Sequence, residues 1–365
     1  MDRATADIYE RGAGVWAARR KPTRREAARA FATRARDRTT PDAVVADLGC
    51  GPGWYARELP GRVVVLDVAS SMLSMAADHA PASWRVQGDL EALPFRTGVL
   101  AAAWAANSYV HVRRSAMPLA LADLHRSLVV GAPVEIRLFA GSYEGHDLPG
   151  DDFPGRYFSM WPEAQLRDVV IGAGFEVDEL ESWGETGRHP GFAVRATRAR
   201  TLPDYVAPGM RLLLCGLNPS VYAADAGVGF ARPGNRFWPA ARAAGIVSRD
   251  RDPRRAVAHH GIGMTDLVKR ATPSASELRP TEYAIGMARV ERLVSWLEPS
   301  ALCFIGLTGW RAAADRRAHP GVQERQLGGR PVYVMPNTSG ANAHARLPDF
   351  VAHLRAAVAL AERGV

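Results

Sequence analysis

The sequence predicts two α/β domains in series, and three observations predict it. Short apolar runs that end in an acid alternate with helical stretches over the first half. A glycine-rich turn follows the first of these runs. A proline- and glycine-bearing break near residue 200 is followed by a fresh apolar strand.

Each element follows from its pattern. Residues 1–42 read as helical and arginine-rich. Ala43–Asp47 and Val63–Asp67 read as buried parallel strands, because continuous apolar runs of this length suit a sheet covered on both faces, and Ser71–His79 reads as a helix between sheet layers. Ala102–Ala106, Val134–Phe139, Phe175–Leu180 and Phe192–Thr197 complete a doubly wound sheet by residue 198. The stretch Arg198–Met210 carries two prolines and a glycine without an apolar period, which places the boundary there and gives domains over 1–198 and 201–365. The second domain opens on Arg211–Gly216. It continues through a helix carrying Val290, Leu293, Val294 and Leu297, strands at Ala301–Ile305 and Pro331–Met335, and a final amphipathic helix with Val351, Leu354 and Val358.

Composition narrows the function classes. No apolar run approaches the ~20 residues that span a bilayer, so the chain is expected to be cytoplasmic, and nucleoid-associated if it binds DNA. Cys50, Cys215 and Cys303 lie far apart without CxxC spacing, which argues against a disulfide framework or a cysteine-built metal site; no metal is expected. Residues 1–200 hold 25 basic and 25 acidic side chains, leaving 21 and 13 for the remainder, so the whole net charge of +8 lies in the second half. A basic balance confined to one domain is the footprint of a polyanion-binding surface, although it also reflects the chain's arginine bias.

The first candidate site is Asp47-Leu-Gly49-Cys-Gly51-Pro-Gly53, a glycine turn between a strand and a helix where a ligand can approach the backbone. Position 54 is Trp, so the dinucleotide fingerprint G-x-G-x-x-G is broken. Together with the acid that ends the second strand, this motif resembles the class I S-adenosylmethionine-dependent methyltransferase family over roughly residues 40–198. The resemblance implies a Rossmann-like domain in which Gly49, Gly51 and Gly53, behind Asp47, line the methionine moiety of S-adenosylmethionine. It further implies that Asp67 binds the ribose hydroxyls and that Asp89, followed by Leu90, contacts the adenine. Asp67 suits its role chemically, since a carboxylate accepts two hydrogen bonds from a vicinal diol.

The methyl acceptor stays unknown. The stretch from Trp104 through Asn107, Ser108 and Tyr109 to His111 lacks the prolines of enzymes that methylate base amines and the Pro-Cys of those that methylate C5 of cytosine. His111 is open to two readings, a general base near neutral pH or a polar packing residue. Tyr9 and the N-terminal helix read either as a lid over the cofactor or as a solvated helix, and the latter is the simpler expectation.

The second candidate site begins where the strand Leu212–Gly216 breaks into Leu217-Asn218-Pro219-Ser220, presenting Asn218 at the top of a sheet. With Phe230-Ala-Arg-Pro-Gly-Asn235-Arg236-Phe237-Trp238, Gly263-Met-Thr265-Asp266-Leu267-Val268 and Pro336-Asn337-Thr338-Ser339-Gly340, it resembles the mismatch-specific uracil/thymine DNA glycosylase family over residues 201–362. Four separated motifs in order make this the most specific signal in the chain. The resemblance implies an α/β uracil-DNA-glycosylase-like domain without a cofactor, acting on double-stranded DNA with uracil or a mismatched base. In it Asn218 positions the attacking water, Phe230 and Asn235 bind the extruded base, and Asn337–His344 enters the duplex.

Cleaving an N-glycosidic bond passes through an oxocarbenium-like sugar and a pyrimidine anion, so the site must place a water and stabilise an anion. An amide orients water but does not accept its proton at neutral pH, so modest turnover resting on positioning is expected. Ser339 and Gly340 before the last helix suit a phosphate contact. Two departures from the family's usual pattern stand out. Ser220 occupies the place of a second glycine, and the small Ala341 that of a bulky wedge, which leaves Asn342, His344 or Arg346 to fill the gap. The alternative function is a catalytically weak glycosylase-like module that docks the methyltransferase on nucleic acid.

Overall fold

The computed structural model describes residues 1–184 and 190–363. Contacts divide the chain into a first unit, residues 1–171 with 175–199, and a second, residues 172–174 with 200–365.

In the first unit, α1 (Arg3–Arg19) and α2 (Arg25–Arg36) precede β1 (Val44–Leu48), β2 (Arg62–Asp67), α3 (Ser70–His79), β3 (Trp84–Gln87) and β4 (Leu100–Ala106). There follow α4 (Met117–Ser127), β5 (Pro133–Ala140), β6 (Glu144–Gly145), β7 (Phe158–Trp161), α5 (Glu163–Gly172), β8 (Phe175–Trp183) and β9 (Gly191–Arg198). The strands form one sheet with the path β3-β2-β1-β4-β5-β7-β6, and β9 adds antiparallel to β5 and then to β8. Strands β3, β2, β1, β4 and β5 run parallel. The chain steps from β1 to β2 on one side and returns to β4 on the other, and this switch point opens a crevice at the carboxyl ends of β1 and β4.

The predicted strands of this unit appear within one to three residues of their expected bounds, β8 running three residues further than expected, and β3, β6 and β7 are additions. β3 escaped notice because its side chains are largely exposed, leaving no apolar run to read. The helix expected to be solvated is instead packed: Ala13 of α1 is buried with Ala69 and Met72, and Tyr9 and Trp16 rest on the same cluster.

The second unit runs β10 (Leu212–Gly216), α6 (Val221–Ala226), α7 (Phe237–Ala243), α8 (Pro253–His260), β11 (Ile262–Asp266) and α9 (Pro280–Leu297). It ends with β12 (Leu302–Ile305), α10 (Leu307–Ala313), β13 (Gly321–Val322), β14 (Val332–Met335) and α11 (Leu347–Arg363). Sheet order is β11-β10-β12-β14-β13, parallel except for β13, so its switch point lies beside the carboxyl end of β10. All five side chains of β10 are buried, as its unbroken Leu-Leu-Leu-Cys-Gly demands.

The stretch read as a boundary is itself folded. Asp204, 3% exposed, receives hydrogen bonds from Arg289 Nη1 (2.7 Å), Lys269 Nζ (2.8 Å) and Thr265 Oγ1 (2.7 Å). Arg289 Nη2 also donates to the Asp266 carbonyl at 2.8 Å, so this buried cluster clamps the end of β11.

Candidate functional sites

The first site is built on conformations that favour glycine. Gly49, Gly51 and Gly53 have φ of +66°, +53° and +75°. A Cβ on Gly49 would stand 2.2 Å from Ser108 Cβ, and one on Gly53 2.8 Å from Ala76 Cβ, so neither position admits another residue without movement. Gly49 and Gly51 line a cavity of about 640 Å³, as do Asp47, Asp67, Leu90, Asn107 and His111, whereas Gly53, expected to join them, lies outside that lining and packs against Ala76 of α3. Asp67 Oδ2 accepts from the Gly51 amide (2.8 Å) and Oδ1 from that of Ala69 (3.0 Å), leaving each oxygen a further lone pair. Burial raises its carboxyl above the ordinary range.

Asp47 is 1% exposed, and its Oδ2 has no hydrogen-bond partner among the described residues; nor does Asn107 Oδ1. Burial, helped by the charge of Asp67, pushes the Asp47 carboxyl up to about 8. Unsatisfied buried acceptors are costly, so this wall calls for a ligand rich in N–H and O–H donors, preferably cationic. The amino group, ribose diol and adenine amine of S-adenosylmethionine meet that demand. Asp89 lies outside the cavity lining: its Oδ2 accepts from the Met1 amino group and its Oδ1 from the Glu91 amide.

On the far side of this cavity His111 is 3% exposed. Its Nδ1 lies 2.6 Å from the Tyr157 carbonyl, which must accept, so Nε2 is the acceptor and Tyr9 O–H donates to it at 2.8 Å. Burial lowers the imidazole to about 4, leaving it neutral at physiological pH. Sequence reading had no means of joining residues 9, 111 and 157, since the link closes only when α1 packs across the sheet.

The second site gathers at the carboxyl ends of β10, β11 and β14. Asn218 donates through Nδ2 to Thr272 Oγ1 (2.8 Å), the Arg270 carbonyl (3.0 Å) and the Pro219 carbonyl (3.2 Å). The amide is thereby held in one orientation, with Oδ1 accepting no hydrogen bond among the described residues. Phe230 sits at φ +59°, a conformation unfavourable for a residue with a Cβ, with its ring 4.3 Å from that of Phe237.

Asp266 pairs in register with Gly216, and a Cβ on Gly216 would stand 2.3 Å from Asp266 Oδ1 and 3.6 Å from Phe230 Cζ. A carboxylate and an aromatic edge therefore meet over a glycine. Burial raises the Asp266 carboxyl to about 6 against the opposing pull of Lys269. Its motif was visible in the sequence, but only the β10–β11 register shows where the carboxyl lies.

The remaining residues divide. Asn235 Oδ1 accepts from the Phe237 amide (2.9 Å) and Thr338 Oγ1 (3.0 Å), which makes it a cap for α7 and a tie to the last loop. Asn337 Oδ1 accepts from the Ser339 amide, Ser339 Oγ from the Ala341 amide, and Asn342 donates to the Asn337 carbonyl. Asn337, Gly340, His344 and Arg346 are exposed, and Asn342, whose Oδ1 accepts from the His344 amide, is half-buried. Arg236, which the sequence did not single out, organises this loop by donating to the carbonyls of Ala345, Ser339 and Asn342 at 2.6–2.7 Å. A second cavity, of about 410 Å³, lies against Asn337, Ala341, Asn342, Thr308 and Arg311.

Among the described residues no cluster of His, Cys, Asp or Glu could hold a metal ion, and no helix is long and apolar enough to cross a membrane.

Comparison with known proteins assigns both regions. Residues 203–360 match the model of the Uracil DNA glycosylase superfamily, and residues 45–131 that of a Methyltransferase domain. Similar solved structures include a SAM-dependent methyltransferase from Methanosarcina mazei, at 17% identity and TM-score 0.40, covering 45% of this chain and 96% of that one. Another is an S-adenosylmethionine-dependent methyltransferase from Mesorhizobium loti, at 18% identity and TM-score 0.37, covering 46% and 96%. A third is 1,6-didemethyltoxoflavin-N1-methyltransferase from Burkholderia thailandensis, with bound 1,6-didemethyltoxoflavin and S-adenosylhomocysteine, at 18% identity and TM-score 0.41, covering 53% and 84%. The chain thus joins a methyltransferase domain to a following domain of the uracil DNA glycosylase superfamily.

Proposed function

We propose that the second domain hydrolyses the N-glycosidic bond of uracil or another mismatched or damaged pyrimidine in duplex DNA, and that the first transfers a methyl group from S-adenosylmethionine. The observation that carries the glycosylase reading is the anchoring of Asn218. Three acceptors fix its Nδ2, so Oδ1 is pre-oriented to hold a water at the switch point. Pre-orientation lets an amide serve where a base would otherwise be needed. Phe230 offers a face on which an extruded base can stack, worth roughly 1–3 kcal/mol. The turn over Asn337–Arg346, tied down by Arg236, would contact the strand at the vacated position.

In the first domain Asp47 and Asn107 would take N–H donors of the cofactor, and Asp67 its ribose hydroxyls. The cofactor supplies an electrophilic methyl group when bound. The chain's own residues exclude water and neutralise its cationic amino group.

The test is excision. Incubation with duplexes carrying U·G, T·G or ethenocytosine·G should yield alkali-labile abasic sites for at least one, and Asn218→Ala should abolish them. Bound but uncut duplexes would support a DNA-docking module instead.

A further inference from the structure

The cavity of the first unit is larger than its cofactor wall requires. Beyond Asp47 and Asp67 it continues to Tyr9, Arg24, Tyr55, Phe139 and Phe158. Four of these five residues are aromatic, which suits a planar ligand. Its lining comes from α1 and the turn after it, from the ends of β1, β2 and β4, and from the segment around residues 148–158, so it is enclosed by separate stretches of one unit. Its volume, about 640 Å³, lies in the range of small-molecule sites (about 300–1,000 Å³).

Arg24 stands out in this lining. It is half-buried, with its guanidinium 5.2 Å from the Trp183 ring centroid, and no carboxylate pairs with it among the described residues. Arg20 and Arg156, by contrast, are bound to Asp152 and Asp151. Burial pulls the Arg24 guanidinium below its usual range, and a hydrogen bond with Tyr55 opposes this only in part. A half-buried cation with no counter-ion among the described residues, lining an aromatic chamber, fits an oxyanion on a ligand.

The same lining holds a proton relay. Arg156 Nη1 donates to Tyr9 Oη at 2.6 Å, and Tyr9 donates to His111 Nε2 at 2.8 Å, while the Tyr157 carbonyl fixes the His111 tautomer. A phenol oxygen has two acceptor positions and Arg156 uses one. The other is free for an incoming O–H or N–H, and the Arg156 charge eases build-up of negative charge on the oxygen.

We propose that this chamber binds a small planar acid, an aromatic or heteroaromatic molecule that carries a carboxylate against Arg24 and one ionisable O–H or N–H. Tyr9, backed by His111 and Arg156, takes the proton from that group as it is methylated. The proposal rests on the methyltransferase reading above. The acceptor's oxygen or nitrogen forms its new bond to the methyl carbon as the carbon–sulfur bond of the sulfonium donor breaks, its electron pair staying on sulfur. The acceptor's proton passes to Tyr9 Oη, and the Tyr9 proton passes to His111 Nε2 and then to solvent. Tyr9 is the catalytic residue, and His111 and Arg156 position and polarise it.

The test uses the full chain with S-adenosylhomocysteine bound and, as probes, salicylate, 4-hydroxybenzoate and 3-hydroxypicolinate, each compared with its uncharged methyl ester by calorimetry. At least one acid should bind at least tenfold more tightly than its ester, and Arg24→Gln should erase that preference while leaving S-adenosylhomocysteine affinity unchanged. Tyr9→Phe should preserve the binding of the acid and of S-adenosylhomocysteine, but slow methyl transfer to a hydroxybenzoate about 10²–10⁴-fold, the range of general acid–base effects. Equal affinity for acids and esters, an Arg24→Gln variant that keeps the preference, or binding of S-adenosylhomocysteine with no acid bound overturns the proposal. Failure of S-adenosylhomocysteine itself to bind would instead overturn the methyltransferase reading on which it stands.

Discussion

Asp266 and Asn218 divide the labour of the second site by charge. A carboxylate held at the edge of the base pocket repels a pyrimidine anion, and at an effective dielectric near 20 two charges 4 Å apart interact by about 4 kcal/mol. With its carboxyl raised to about 6, Asp266 is protonated below that pH and charged above it. Excision of uracil should therefore slow as pH rises through about 6, and Asp266→Asn should flatten the profile and raise the rate at pH 7.5. Single-turnover rates between pH 5 and 8 check this, and a rate that climbs through pH 6 would instead make Asp266 a base. Asp47 offers the matching prediction in the first site. Its proton, retained up to about pH 8, should leave when a cationic amino group binds beside it. Binding of S-adenosylhomocysteine at pH 7 should then release protons and weaken as pH falls, measurable by calorimetry in buffers of different ionisation heat. Equal heats across buffers would place the ligand's amino group elsewhere.

The ends of strands, more than their middles, carry both sites, and they are held by buried polar clamps. Asp204 with Lys269, Arg289 and Thr265 secures the end of β11, and Asp204→Ala would strand a buried Arg289 and a half-buried Lys269. Breaking such a cluster costs about 3–5 kcal/mol, so a fall in Tm of roughly ten degrees or more is expected by calorimetry. A fall of only a degree or two would mean that the cluster does not clamp β11. At this scale the sequence is legible where a single element carries the signal. The apolar runs of β1, β2, β4, β5 and β10, the glycine turn after β1 and the Asn-Pro break after β10 all stand where their patterns place them. What could not be read depends on partners far apart in the chain. Trp84–Gln87 has exposed side chains and hence no strand signature. Arg236 looks like one basic residue among many until its three carbonyl partners are known. Tyr9 meets His111 only across 102 residues of separation.

At the scale of the whole molecule, charge and chemistry divide between the halves. Residues 1–200 are neutral by count and hold the cavity of about 640 Å³, while the later residues hold the entire +8 and the region that matches the glycosylase superfamily. Lys269, the only lysine of that half, is committed to Asp204, so on the proposed glycosylase reading the phosphate contacts would come from arginines such as Arg346 and from the backbone of the Ser339–Gly340 turn. Affinity for a uracil-bearing duplex should fall steeply with salt, by about 0.9 in log–log slope for each phosphate neutralised, and Arg346→Gln should reduce that slope by about one. Fluorescence anisotropy titrations from 50 to 300 mM salt check this. A flat salt dependence would remove DNA from the account. The most direct measurement is the single-turnover excision rate of Asn218→Ala beside its affinity for the same duplex. The water-holding role predicts a rate about 10²–10³ lower at nearly unchanged affinity. An unchanged rate would contradict it.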